Sequence, residues 1–255
     1  MKNVTALLIF FACVGQAAAK GGITIEMQPP QTAQEKQAAS IIKGSEINKT
    51  FTELSSQYFP FNRTLRVQYG SSDGPYYDPE SHAIHIPYSF YLESHDYFSK
   101  HGYEEKYSKS AEDGATDTLL HTLLHEAGHA YVEDQNIPVL GKEEDAVDNF
   151  ATIILLNYIE NGDDVAISAA DMFAFESQSE ELPDYYEMGD YADEHSFDLQ
   201  RYFSTLCLVY GSNPEKYQYL LDEVEDDYLE NRKDFCVSNF DLINENWHQY
   251  LSVKQ

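Results

Sequence analysis

The chain has 255 residues, 42% of them hydrophobic, which is enough for one sizeable core but short for two. Its 20 Tyr and 14 Phe exclude a disordered polyampholyte. A formal charge of −28 repels nucleic acid and anionic membrane surfaces, so neither is an expected partner.

The first nineteen residues read as a signal peptide. Lys2 gives a basic start, "VTALLIFFACV" is a short apolar run, and Ala17, Ala18 and Ala19 offer a small-residue cleavage site. That run is too short to span a bilayer and no later stretch is long enough, so a membrane span is not expected. Lipid anchoring through Cys13 is the alternative, with Phe10 and Phe11 poorly suited to it. Periplasmic or secreted localisation follows. In such an oxidising compartment Cys207 and Cys236 make an even pair. A disulfide between them closes a loop of about 30 residues and contributes roughly 3–4 kcal/mol on the chain-entropy estimate. Two buried free thiols are the alternative.

Residues 20–255 are expected to form one domain. "MQPPQTAQ" (27–34) reads as an extended leader. From 35 to 59, Ile41, Ile42, Ile47, Phe51 and Leu54 recur at roughly helical spacing, up to Pro60. "RTLRVQYG" (63–70) alternates Leu65, Val67 and Tyr69 with polar residues, which predicts a strand. "SSDGPYYDPES" reads as a polar turn. In "HAIHIPYSF", Ile84 and Ile86 flank His85 and predict a second strand, with Pro87 favouring an edge position. Helices are expected at about 112–133, 143–160, 197–210, 214–230 and 239–252. Strands first and helices after give an α+β fold, mostly helical with a small N-terminal β-sheet.

The chemistry concentrates in "LLHEAGHAYVED" (123–134). Residues four apart on a helix share a face, so His125 and His129 can turn both imidazoles toward one ion. Zinc, at about 2.0–2.1 Å from each nitrogen, fits that spacing. Glu126 is rotated by about 100°, too far to share the coordination easily, yet close enough to take a proton from a water on the ion. Zinc lowers the pKa of such a water from roughly 15.7 to about 7. The flanking Leu119, Leu120, Leu123, Leu124, Ala127 and Ala130 predict a buried helix, where Glu126 would be costly without a purpose. Gly128 costs about 1 kcal/mol relative to Ala inside a helix, so another element is expected to press against it.

Two histidines need a further ligand, most simply an acid on the next helix. "QNIPVLG" supplies a turn and "KEEDAVDNFATIILLNYIE" a second helix. Glu143, Glu144 and Asp145 also suit a helix N-terminus on dipole grounds alone. Asp148 follows Glu144 by four, on the same face. Glu144 as metal ligand, with Asp148 orienting a histidine through its second nitrogen, accounts for both. Glu143, Asp145 or Asp148 as the ligand remain alternatives.

His125-Glu126-x-x-His129 followed by Glu144-x-x-x-Asp148 resembles the gluzincin, or thermolysin-like, peptidases. More narrowly, "YYDPESHAIHIPYSF", "LLHEAGHAYVEDQNIPVLGKEEDAVDNFA" and "DEHSFDLQRYFSTLCLVYGSNPEKY" are similar to a family of exported bacterial metallopeptidase-like proteins whose substrate is unknown. The resemblance covers most of the chain after the signal. It implies a zincin-like fold, zinc on His125, His129 and Glu144, support from Asp148, and "HAIHIPY" as an edge strand that a peptide could extend. Metzincins are excluded, because their later Gly and His fall on Val132 and Gln135.

His121 lies about 12 Å along the axis from His129, too far to share one ion, and reads as structural. His195 is the leading candidate for stabilising the oxyanion, with Tyr131, Tyr185 and Tyr191 as alternatives. His82, His85, His95, His101 and His248 read as ordinary. The acidic loops "NGDD" and "EVEDD" lack the pattern of a calcium loop. A zinc peptidase acting on peptide or protein substrates, with Glu126 and His195 as its catalytic groups, is therefore the expectation. A non-catalytic exported binding protein that keeps a structural metal site is the alternative.

Overall fold

The computed structural model describes residues 21–179, 186–222 and 226–252, so the signal segment, Cys13 and Tyr185 lie outside the described residues. The fold is α+β and mostly helical, with one small sheet near the N-terminus.

The sheet holds β1 (Ile23–Met27), β2 (Leu65–Tyr69), β3 (Tyr76–Asp78) and β4 (Ala83–Ile86) in the order β1-β2-β4-β3. The first three neighbours are parallel, and β3 runs antiparallel to β4. Two expectations change here. The stretch 23–27, not read as a strand, pairs residue by residue with β2. The edge strand is β3, inside the supposed polar turn, whereas "HAIHIPY" supplies the interior strand β4. Pro87 does not force an edge, because it stands one residue beyond Ile86 and owes the ladder no N–H.

The helix expected over 35–59 is two helices, α1 (Ala33–Gly44) and α2 (Ile47–Tyr58), broken where Ser45 turns extended. Thr32 caps α1 by accepting from the Glu35 N–H, and Glu35 answers at the Thr32 N–H. After β4 comes α3 (Tyr88–Lys100), unpredicted because its buried positions are mostly tyrosine, serine and phenylalanine rather than aliphatic residues. A short α4 (Tyr103–Tyr107) then leads to α5 (Ala111–Gln135).

The centre of the molecule is α5. Ser110 and Asp113 form a capping box at its start, and Asn136 ends it in the left-handed conformation. At its last turn Asp134 accepts from the backbone N–H groups of Asn62 and Arg63, fixing the approach to β2. Its apolar residues are buried on nearly every side, between the sheet, α2, α3 and the helices that follow. Those are α6 (Glu143–Tyr158) and α7 (Gly162–Ser179), after which come α8 (Met188–Ala192), α9 (Asp198–Ser212) and α10 (Asp226–His248). The helix expected at 214–230 is instead a turn, a short 3-10 segment at Gln218–Leu221 and the start of α10. The one expected at 239–252 is the second half of α10. The apolar α7 was not foreseen as a separate element.

The buried apolar side chains form one cluster from Ala38 to Leu251. Among the described residues no helix is long and apolar enough to cross a membrane. As expected, a helix presses against Gly128. A Cβ there would stand 2.8 Å from Val147 Cβ and 3.1 Å from Phe150 Cδ1, both on α6. Gly128→Ala is expected to lower stability by about 1–3 kcal/mol through overpacking, despite its better helix propensity. Urea unfolding measures this, and an unchanged midpoint would contradict the close approach. Cys207 and Cys236 form a disulfide between α9 and α10, 29 residues apart. Replacing both with Ala is expected to cost about 3–4 kcal/mol in the same assay.

Candidate metal centre

Two adjacent helices build the site. His125 and His129 stand one turn apart on α5, and Glu144 stands in the first turn of α6. One donor atom from each lies within 4.8 Å of the other two. Glu144 Oε2 is 3.1 Å from His125 Nε2, and Glu144 Oε1 is 3.3 Å from His129 Nε2. Glu144 Oε2 is buried with no hydrogen-bond partner. Three donor atoms therefore face a shared point rather than satisfying one another, as a chelated cation requires. Two imidazoles and a carboxylate suit zinc, leaving a fourth position for water or substrate.

The outward nitrogens fix how the rings are turned. His125 Nδ1 is 2.7 Å from Asp148 Oδ1, and His129 Nδ1 is 2.8 Å from Glu143 Oε1. Donation from both Nδ1–H groups turns both Nε2 atoms toward the shared point. The carboxylate of Asp148 is itself held by Arg201 of α9, through Nε at 2.8 Å and an Nη at 2.9 Å. The guanidinium lies 4.0 Å from the Phe173 ring centre.

The charges follow from this packing. Burial opposes a proton on His125, but Asp148 and Glu144 outweigh it and raise its pKa to about 9. Burial would raise Asp148, yet Arg201 and His125 hold it well below the usual carboxylate range. Glu144 is likewise held low against burial by the three histidines around it. Burial pushes Glu126 up, with His125, His129 and the Tyr77 backbone N–H pulling the other way. Such a carboxylate sits nearer the range of a general base than an exposed one.

The predicted residues and the structure can be matched position by position. His125, His129 and Glu144 converge, and Asp148 stands behind His125. His195, in the segment before α9, places Nε2 3.0 Å from Glu144 Oε2 and is exposed. His121 lies outside the cluster. Tyr131 points into the core, donating to the Tyr250 carbonyl. Tyr191 is exposed beside Phe197. Asp145 accepts from Ser196 at the surface. Sequence reasoning missed Glu143 behind His129, which it had set among candidate ligands or dipole acids. It also missed Arg201, whose only signal was that a buried Asp148 needs a counter-charge.

Glu126 stands at the junction of two cavities of about 330 and 610 Å³, which share Pro75, His125, Glu126 and His195 in their walls. The edge strand β3 borders the larger one through Tyr76 and Tyr77, and Pro75 just before it borders both. The arrangement can hold a divalent cation at the floor of a cleft, with a buried carboxylate beside it. No curated protein and no solved structure matches the chain. A family model described as "Putative metallopeptidase" matches residues 27–251, and the chain belongs to that family.

Proposed function

We propose that the protein is a zinc-dependent peptidase of the gluzincin type, with zinc on His125, His129 and Glu144. The observation that carries this reading is the convergence of those three donors within 4.8 Å at the floor of a cleft that also holds Glu126. Bound zinc supplies Lewis acidity, polarising the substrate carbonyl and lowering the pKa of water to about 7.

The chain's own residues supply the rest. β3 pairs with β4 on one side only, so an extended peptide can add to its outer edge by main-chain hydrogen bonds. Glu126 takes the proton of the attacking water and passes it to the leaving amine. His195 donates a hydrogen bond to the oxygen on which negative charge develops. His195 is suited to this because the Glu144 carboxylate beside it raises its pKa, although burial works against it. Asp148 and Glu143 keep the ligand rings turned, and Arg201 keeps Asp148 in place. The reading includes export to an oxidising compartment, which the Cys207–Cys236 disulfide supports.

The test is chelation. Protein purified without chelator is expected to carry about one zinc per chain and to cleave a mixed peptide pool. Removal of zinc should end cleavage and its return should restore it. Cleavage that survives complete metal removal would refute the reading.

A further inference from the structure

The smaller of the two cavities lies between α3, α5 and α7 and holds two polar groups that nothing in the fold satisfies. Thr118 and His121 of α5 are 4% and 2% exposed. Among the described residues, Thr118 Oγ1 and His121 Nε2 are buried without a hydrogen-bond partner, and both side chains line the cavity. Buried polar atoms are nearly always satisfied, so two of them three residues apart on one helix face point to a ligand with a polar group of its own. Burial pushes the His121 pKa down to about 4, so the ring is neutral. Its Nε2 then donates or accepts according to tautomer, and the threonine hydroxyl can do either. This floor carries no charge, and a hydroxyl, being donor and acceptor at once, satisfies it in both tautomers.

Charge does not choose the ligand. Glu93 and Glu176 share the lining with His125, His195 and Arg201, so the walls carry both signs. A charged side chain would end on a floor that offers it no counter-charge, and an aliphatic one would leave both floor groups unpaired. Phe90 of α3 with Met172 and Phe173 of α7 makes the sides apolar. Phe173 meets the His121 ring edge-on, with centroids 6.0 Å apart, so this apolar wall runs down to the floor. Apolar sides and a hydrogen-bonding end suit an aromatic ring with a hydroxyl tip. Reach excludes shorter hydroxyl side chains. His121 lies one turn before His125, about 6 Å along the axis, farther than serine or threonine extends.

We propose that this cavity is a specificity pocket for a tyrosine side chain next to the scissile bond, its ring against Phe90, Met172 and Phe173 and its hydroxyl on Thr118 and His121. The inference rests on the peptidase reading. His125, Glu126 and His195 belong to the same wall, so the side chain entering here flanks the bond cleaved beside Glu126. A site built around a substrate hydroxyl rejects the analogue that lacks it, because its own polar groups are then left unpaired. Phenylalanine is that analogue.

The experiment compares zinc-loaded wild type with Thr118→Val and His121→Leu on peptides differing only in tyrosine, phenylalanine, glutamine or lysine at each position. Wild type is expected to favour tyrosine over phenylalanine at one position flanking the cut by about 10–100-fold in kcat/KM, the scale of leaving a buried polar group unpaired. Glutamine and lysine should rank below tyrosine there. Each variant should lose most of the tyrosine-to-phenylalanine ratio, which is read within one preparation, so partial misfolding cancels. Thr118→Val should also unfold no earlier than wild type, because the hydroxyl it removes has no partner in the fold. Equal cleavage of the tyrosine and phenylalanine peptides, a preference for glutamine or lysine, or a tyrosine preference unchanged in both variants would overturn the proposal.

A binding arm separates the two readings. Nα-acetyl-tyrosine amide and Nα-acetyl-phenylalanine amide are titrated into metal-free and zinc-loaded protein by NMR. If no peptide is cleaved but the tyrosine amide binds selectively and Thr118→Val abolishes this, the pocket stands and the peptidase reading fails. If no peptide is cleaved and the two amides bind alike, both fail.

Discussion

Glu126→Gln is expected to retain about one zinc per chain while losing cleavage by roughly 10²–10⁴-fold in kcat, the range for removing a positioned general base. The substitution keeps the shape of the side chain and removes only its capacity to hold a proton. Because Glu126 is 6% exposed and burial already opposes its charge, the neutral amide should fold at least as well as the carboxylate. Equal or higher thermal stability would therefore accompany the loss of turnover. Metal analysis and peptide kinetics on one preparation decide the matter. Activity within tenfold of wild type would remove Glu126 from the reaction.

The second large effect is expected at Glu144. Glu144→Ala deletes the one donor contributed by α6, and zinc affinity should fall by more than about 100-fold, beyond the 10–100-fold typical of a supporting group. The consequence shows in stability as well as activity. Free zinc at 1,000 times the wild-type Kd should stabilise wild type by about 4 kcal/mol, and a hundredfold weaker variant by only about 1.4 kcal/mol. Glu143→Ala is the control. It removes the carboxylate behind His129, itself 47% exposed, so its loss should fall toward the lower end of the supporting range. Equal zinc stabilisation of wild type and Glu144→Ala would mean that this carboxylate does not hold the metal.

Much of this architecture was legible in the chain because its strongest signals are local. Four-residue spacing brought His125 and His129 to one face, and the same spacing linked Glu144 to Asp148. Close packing at Gly128 was legible because a helix does not accept glycine without cost. What escaped reading depends on partners distant in sequence. β3 is three residues long, exposed at Tyr76 and surrounded by turn-forming residues, so only pairing with β4 makes it a strand. α3 hid behind aromatic and polar residues whose burial comes from α1, α5 and α7. Pro87 misled because its effect on a ladder depends on which side of the last paired residue it falls. Arg201 has no local pattern, since its reason for being there is a carboxylate 53 positions earlier.

The bidentate grip of Arg201 on Asp148 makes the arrangement hard to transplant. A fragment stopping before α9 would retain both histidines, Glu144, Glu126 and Asp148, yet the Asp148 carboxylate would be stranded within it without the cation that holds it against His125. Productive metal loading should consequently be a late event in maturation, awaiting arrival of a helix that the covalent clasp at Cys207 fastens to the chain's final long helix.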